Sequence, residues 1–287
     1  MSNIMLRHQE KMELLGRLSI PTKNLSTEDN DDFVSKFSNM FKQQFIAIND
    51  FFKGDNDIEF AINEKLSIGA RELIDMRIKI KSFKNKDLSA AYVAKIPVTL
   101  GLKKDIYSTL LEIENGYSVI KGKVYDVINE TDDIVSNFIS DLHYKKRLIV
   151  PKHKFDPVEM TDHLNTSINN VIDHKSTIDR KSVKDLIGNL ENLESAILKI
   201  NDIGDITNIE NLKKINKATS KLGDKIDVLT SMLEQNEDVS RSVIIDIAER
   251  VEYTAKLITS VTTLIFIMNQ IVDTTKHTIK AIDKYKN

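Results

Sequence analysis

The amino-acid sequence predicts an all-α protein: an elongated antiparallel bundle of long helices over 102–287, with a smaller helical region over 1–101 in front of it. Three observations carry that expectation. The 287 residues include nine Gly and four Pro, too few for the turns of a loop-rich β fold. Apolar residues recur every seven positions over long stretches, which is the spacing of a helical seam. Short polar turns separate the stretches, and short turns fold consecutive helices against one another. There is no Cys, which excludes disulfides, cysteine-ligated zinc and a thiol nucleophile. The formal net charge of −2 gives no global basic field for nucleic acid or an anionic membrane.

Met5 to Leu18 has helical spacing at Leu6, Leu14, Leu15 and Leu18, and Pro21 stops it. Charges at Arg7, Glu10, Lys11, Glu13 and Arg17 leave no uninterrupted signal-peptide core. Thr22 to Asp32 is polar and acidic, a linker that supplies an N-cap and favourable charge to the next helix. That helix, Phe33 to about Phe52, sets Phe33, Phe37, Phe41 and Phe45 one above another at i+4. With Phe51 and Phe52 they are the candidate partner contacts, set against the plainer reading that an aromatic stripe is core. Gly54 and Asp55-Asn56-Asp57 make the turn into a third helix, about Ile58 to Phe83, built on Ile62, Leu66, Leu73, Met76, Ile80 and Phe83. Residues 84–101 read as an extended crossover with a short edge strand, because Tyr92 to Leu100 is β-branched and Pro97 biases Ile96 to extended backbone.

From Leu102 to about Leu142 the sequence predicts one long helix. Ile106, Ile113, Ile120, Val127 and Ile134 lie seven apart, with Leu110, Tyr117, Val124, Thr131 and Phe138 four residues after each. Gly116 and Gly122 interrupt it at about 1 kcal/mol each relative to Ala. Pro151 and Pro157 hold a connector. Thr161 to Ile203 reads as helix with a break near Asp179, and its second part aligns Leu186, Leu190, Leu193, Ile197 and Ile200. After Gly204-Asp205 the next helix carries Leu212, Ile215, Thr219, Leu222, Ile226, Leu229 and Leu233. After Asn236-Glu237-Asp238 the last helix repeats at Ile244, Val251, Ile258, Ile265, Val272 and Ile279. Its uncharged run Leu257 to Val272 is shorter than the roughly 20 residues of a spanning helix and contains Thr, Ser, Asn and Gln, so it reads as a buried face.

Motifs that would carry catalysis are incomplete. Gly116 to Val124 resembles a phosphate loop, but five residues separate the glycines instead of four, and Val124 stands where a hydroxyl is needed. Ser118-Val-Ile-Lys121 matches S-x-x-K without the companion motifs of serine–lysine acylases. Of His8, His143, His153, His163, His174 and His277, none pairs with another at the i, i+4 spacing of a helical metal site. Asp55 to Glu59 lacks the glycine and terminal glutamate of a calcium loop. The expectation is no catalytic, cofactor or metal site. Two basic clusters, 77–86 and 145–154, are the places where nucleic acid would bind if it does; they read first as solvated helix ends.

Lys11-Met-Glu-Leu-Leu-Gly-Arg-Leu18, Lys95-Ile-Pro-Val-Thr-Leu-Gly-Leu102 and the long helix that follows resemble helical virion structural proteins of large tailed phages. The resemblance implies a non-enzymatic particle component in the virion, present in the host cytoplasm during assembly, whose partners are other protein subunits or further copies of itself. It transfers no functional residue. The competing expectation is a toxin-like helical bundle that exposes 257–272 to a membrane.

Overall fold

The computed structural model describes residues 70–98, 101–144, 154–173, 179–204, 208–233 and 241–286. Within them lie α1 (Ala70–Lys81), α2 (Ser89–Val93), β1 (Lys95–Val98), α3 (Ile106–Ile120), α4 (Val124–His143) and α5 (Pro157–Val171). They are followed by β2 (Asp179–Ser182), α6 (Val183–Ile187), α7 (Leu190–Ile203), α8 (Ile209–Leu233) and α9 (Arg241–Tyr285). The fold is an all-α bundle with one small sheet.

Polar residues set the helix starts by accepting otherwise unpaired N–H groups. Asp105 accepts from Ser108 N at 3.0 Å, ahead of α3. Asp156 accepts from Val158 N at 2.9 Å and Glu159 N at 3.2 Å, with Pro157 in the first turn of α5. Ser182, Asn189 and Asn208 do the same for α6, α7 and α8.

The single helix expected over 102–142 is two helices. Gly122 has φ +70°, a left-handed conformation that costs an L-residue about 1–2 kcal/mol and glycine little, and it ends α3 and redirects the chain into α4. All ten seam residues are nevertheless buried. The break lets α3 pack on α5 and α7 while α4 packs on α8 and α9.

The helical stretch expected over 161–203, with its break near Asp179, is α5, α6 and α7, and the break holds the strand β2, which begins at Asp179. The crossover at 84–101 also holds a helical turn, α2, whose start is fixed by Ser89 N donating to Asp87 Oδ1 at 2.9 Å. The edge strand expected there is β1. It pairs antiparallel with β2, Ile96 opposite Lys181 and Pro97 opposite Arg180. Ile96 and Val98 alternate into the core. β2, Asp-Arg-Lys-Ser, has no strand propensity of its own; it is extended because β1 offers it backbone partners.

Helix directions are mixed. Glu114 meets Lys199 and Lys121 Nζ donates to the Asp202 carbonyl, so α3 and α7 run the same way. Asp132 meets Lys221 and Ser136 meets Lys225, so α4 and α8 do too. α5 runs back along α3, with Asn170 beside Glu112 and His163 beside Gly116. α9 is the centre. Its 45 residues extend about 67 Å at 1.5 Å per residue. Thr254 on its N-terminal half reaches Thr131 of α4 at 2.9 Å, and Lys276 on its C-terminal half reaches Glu72 of α1 at 2.7 Å. Between them, every residue from Leu257 to Ile265 is buried. The hydrophobic core is continuous from Leu73 to Ile282.

Buried positions on a helix must satisfy their polar side chains, since an unpaired buried hydroxyl costs about 1–3 kcal/mol. α9 does so locally. Thr259 donates to the Ala255 carbonyl at 3.0 Å, Ser260 to Lys256 at 3.0 Å, Thr263 to Thr259 at 2.9 Å, Thr275 to Ile271 at 2.7 Å and Thr278 to Thr274 at 2.8 Å. The Thr and Ser residues that interrupt the apolar run therefore ask nothing of neighbouring helices.

Candidate interaction surface

α1 is apolar on two sides. Leu73, Met76, Ile80 and Phe83 recur at three- and four-residue spacing and are buried. Ile74 and Ile78, one turn apart on the other side, are 56% and 62% exposed. Ion pairs fix the helix in place: Lys79 to Asp283 at 2.7 Å, Glu72 to Lys276 at 2.7 Å and Lys84 to Glu194 of α7 at 3.2 Å. Lys286 and Lys79 hold the Asp283 carboxyl below its ordinary range. Burial disfavours the Lys276 ammonium, but Glu72 and Asp273 outweigh this and raise its pKa. An open groove of about 560 Å³ runs between α1 and α9, with Met76 and Ile279 on its floor and Arg71, Asp75 and Lys280 on its rim. These three rim charges make no ion pair among the described residues.

A second polar cluster lies inside the fold. Asp132 of α4 is 1% exposed. Its Oδ2 accepts from Lys221 Nζ at 2.6 Å and Lys225 Nζ at 2.7 Å, while its Oδ1 is buried without a hydrogen-bond partner. Lys225 also donates to Ser136 Oγ, which donates to the Asp132 carbonyl at 2.6 Å. The carboxylate raises the Lys221 pKa. Sequence reading missed this clasp. Its signal was an aspartate four residues after Ile128 and three before Val135, on the apolar stripe, together with lysines at i, i+4 on another helix. Farther along α9, burial raises the pKa of Glu249, helped by the charges of Asp246 and Glu252. Burial lowers that of Arg250.

The candidate partner contacts Phe33, Phe37, Phe41, Phe45, Phe51 and Phe52 lie outside the described residues. Of the basic cluster 77–86, Lys79 and Lys84 are engaged by Asp283 and Glu194. Of 145–154 only Lys154 is described. Its backbone N–H donates to Glu130 at 2.6 Å, and its ammonium lies 5.2 Å from the Phe155 ring centre. Ser118 Oγ donates to the Asn115 carbonyl at 2.7 Å, and Lys121 reaches toward α7, so the S-x-x-K pair is not brought together. Gly116 lies inside α3, against Ser167 of α5, rather than in a loop. His163 is exposed and sits 3.9 Å from Glu159. Among the described residues, no group of three His, Asp or Glu converges as a metal site requires. α9 is long and apolar enough to cross a membrane once residues on both sides of 257–272 are counted, and 78% of its most apolar window is buried in the fold.

The chain matches no protein-family model, no curated protein and no solved structure.

Proposed function

We propose that this protein is a non-enzymatic structural or assembly component, most directly of a tailed-phage virion, that works through helix-face contacts with other protein subunits. The observation that carries this reading is the two-sided α1. Its core stripe is complete, yet Ile74 and Ile78 present a second apolar face at the surface. The charged groups Glu72, Lys79 and Lys84 are used to fix this part of the chain on α9 and α7 rather than to converge on a reacting centre. The virion assignment rests on the sequence resemblance. Mass spectrometry of gradient-purified particles from the source tests it: stoichiometric presence supports the reading, and absence from particles at every assembly stage removes it.

One observation favours a second reading, a membrane-acting bundle. The central run of α9 is uncharged and its hydroxyls are satisfied within the helix, as lipid would demand. Its apolar side chains are covered by the rest of the bundle, so this activity would require the bundle to open. Leakage of dye from liposomes on addition of the purified protein would support that reading over the first.

A further inference from the structure

We propose that the exposed Ile74–Ile78 face of α1 is the seat for the Phe33 and Phe37 side chains of the same chain. The inference is independent of the virion reading. It starts from where the chain leads. The 69 residues before Ala70 join α1 directly at its N-terminus. The sequence predicts a helix over 33–52, a turn at Gly54-Asp55-Asn56-Asp57, and a helix from 58 that runs into α1. Two helices joined by so short a turn lie antiparallel.

The geometry of such a hairpin fixes what meets what. Residues 33–52 span about 30 Å at 1.5 Å per residue, and so do residues 58–77. Folded back about the turn, residue 52 lies level with 58, and residue 33 level with 77. Phe37 then falls beside Ile74, and Phe33 beside Ile78. These are the two large apolar side chains that α1 leaves at its surface. Charge agrees with the register. The acidic stretch Glu28, Asp29, Asp31 and Asp32 comes level with residues 78–82. There Lys81 is exposed and makes no ion pair among the described residues. The other aromatic rings, Phe41, Phe45, Phe51 and Phe52, fall level with residues before Ala70. They meet no described surface in this register.

The natural absence of cysteine makes the test direct. Ile78→Cys, at a surface position, is labelled with a maleimide in the full chain and in the Phe33→Ala/Phe37→Ala background. Labelling is expected to be at least ten-fold slower in the full chain. Equal rates overturn the proposal. In a second variant, Phe33→Cys/Ile78→Cys, a short bis-maleimide should join the two positions within one chain, seen as a monomer of shifted mobility and cross-linked mass. A cross-link found only between two chains would give the face to a second copy and overturn the intramolecular assignment. Absence of any cross-link would overturn it as well.

Discussion

An alanine at position 116 would place its Cβ 2.7 Å from Ser167 Oγ, 2.8 Å from Ser167 Cβ and 3.2 Å from the His163 carbonyl oxygen. No Cβ tolerates the first two distances. The Ser167 Cβ is fixed to the α5 backbone, so α3 and α5 would have to part. Two effects oppose each other. Ala is about 1 kcal/mol better than Gly inside a helix. Overpacking a fitted interface costs about 1–3 kcal/mol. The second is the larger, and Gly116→Ala should lose up to about 2 kcal/mol. Ser167→Gly removes both close atoms at a helix-propensity cost of about 0.5 kcal/mol, since Ser is already a weaker helix former than Ala. In the double variant the propensity gain of the alanine outweighs the cost of the glycine, and only the 3.2 Å approach to His163 remains. Gly116→Ala/Ser167→Gly should therefore be more stable than either single variant, with a coupling of about 1–3 kcal/mol, the overpacking that the second change removes. Urea unfolding followed by far-UV circular dichroism, compared at equal slope, measures all four corners of the cycle. A Gly116→Ala protein more stable than the parent, or a purely additive cycle, would refute the close approach of the two helices.

Ile265→Asp should be among the most damaging single changes, with a loss of several kcal/mol, because it buries an unpaired carboxylate in the fully enclosed part of α9; an unchanged melting temperature would mean that this face meets water. Removing Lys221 and Lys225 together, as Lys221→Met/Lys225→Met, should destabilise more than Asp132→Leu, since the first leaves a buried carboxylate without a counter-charge and the second removes the charge and the unpaired Oδ1 with it. The reverse order in thermal melts would show that Asp132 is reached by water. Glu249→Gln should raise the melting temperature at pH 7. Burial holds the folded-state pKa of Glu249 above its unfolded value, so its favourable contribution is present at low pH and fades as pH rises through the folded pKa. The gain over the parent should shrink when both are melted near pH 4, and a gain independent of pH would contradict this.

The seams were legible because each buried residue repeats the period of its helix. Of the six residues read from spacing on the last helix, Val251, Ile258, Ile265, Val272 and Ile279 are buried and Ile244, near its start, is half-buried. The Gly122 break was visible only as a residue of poor helix propensity. Spacing cannot show that the chain turns there, since the apolar period resumes on the far side with its phase kept. β2 was illegible because Asp-Arg-Lys-Ser becomes a strand only through β1, about 80 residues earlier in the chain. The clasp on Asp132 needed the parallel alignment of α4 and α8, which no local pattern encodes. The exposed pair on α1 is hidden for a simpler reason: Leu73, Met76, Ile80 and Phe83 already complete a helical core stripe, and Ile74 and Ile78 fall outside it.

The placement of α9 bears on how the molecule comes into being. Translation delivers α1 through α8 before the helix they enclose. Until residues 241–286 leave the ribosome, the inner faces of α1, α2, α4 and α5 have no common partner. Contacts such as Thr131 with Thr254, 123 residues apart, must wait until α9 has been made. Closure of this core is therefore a late event, and a nascent chain stalled before α9 presents its apolar faces to water, chaperones and neighbouring chains.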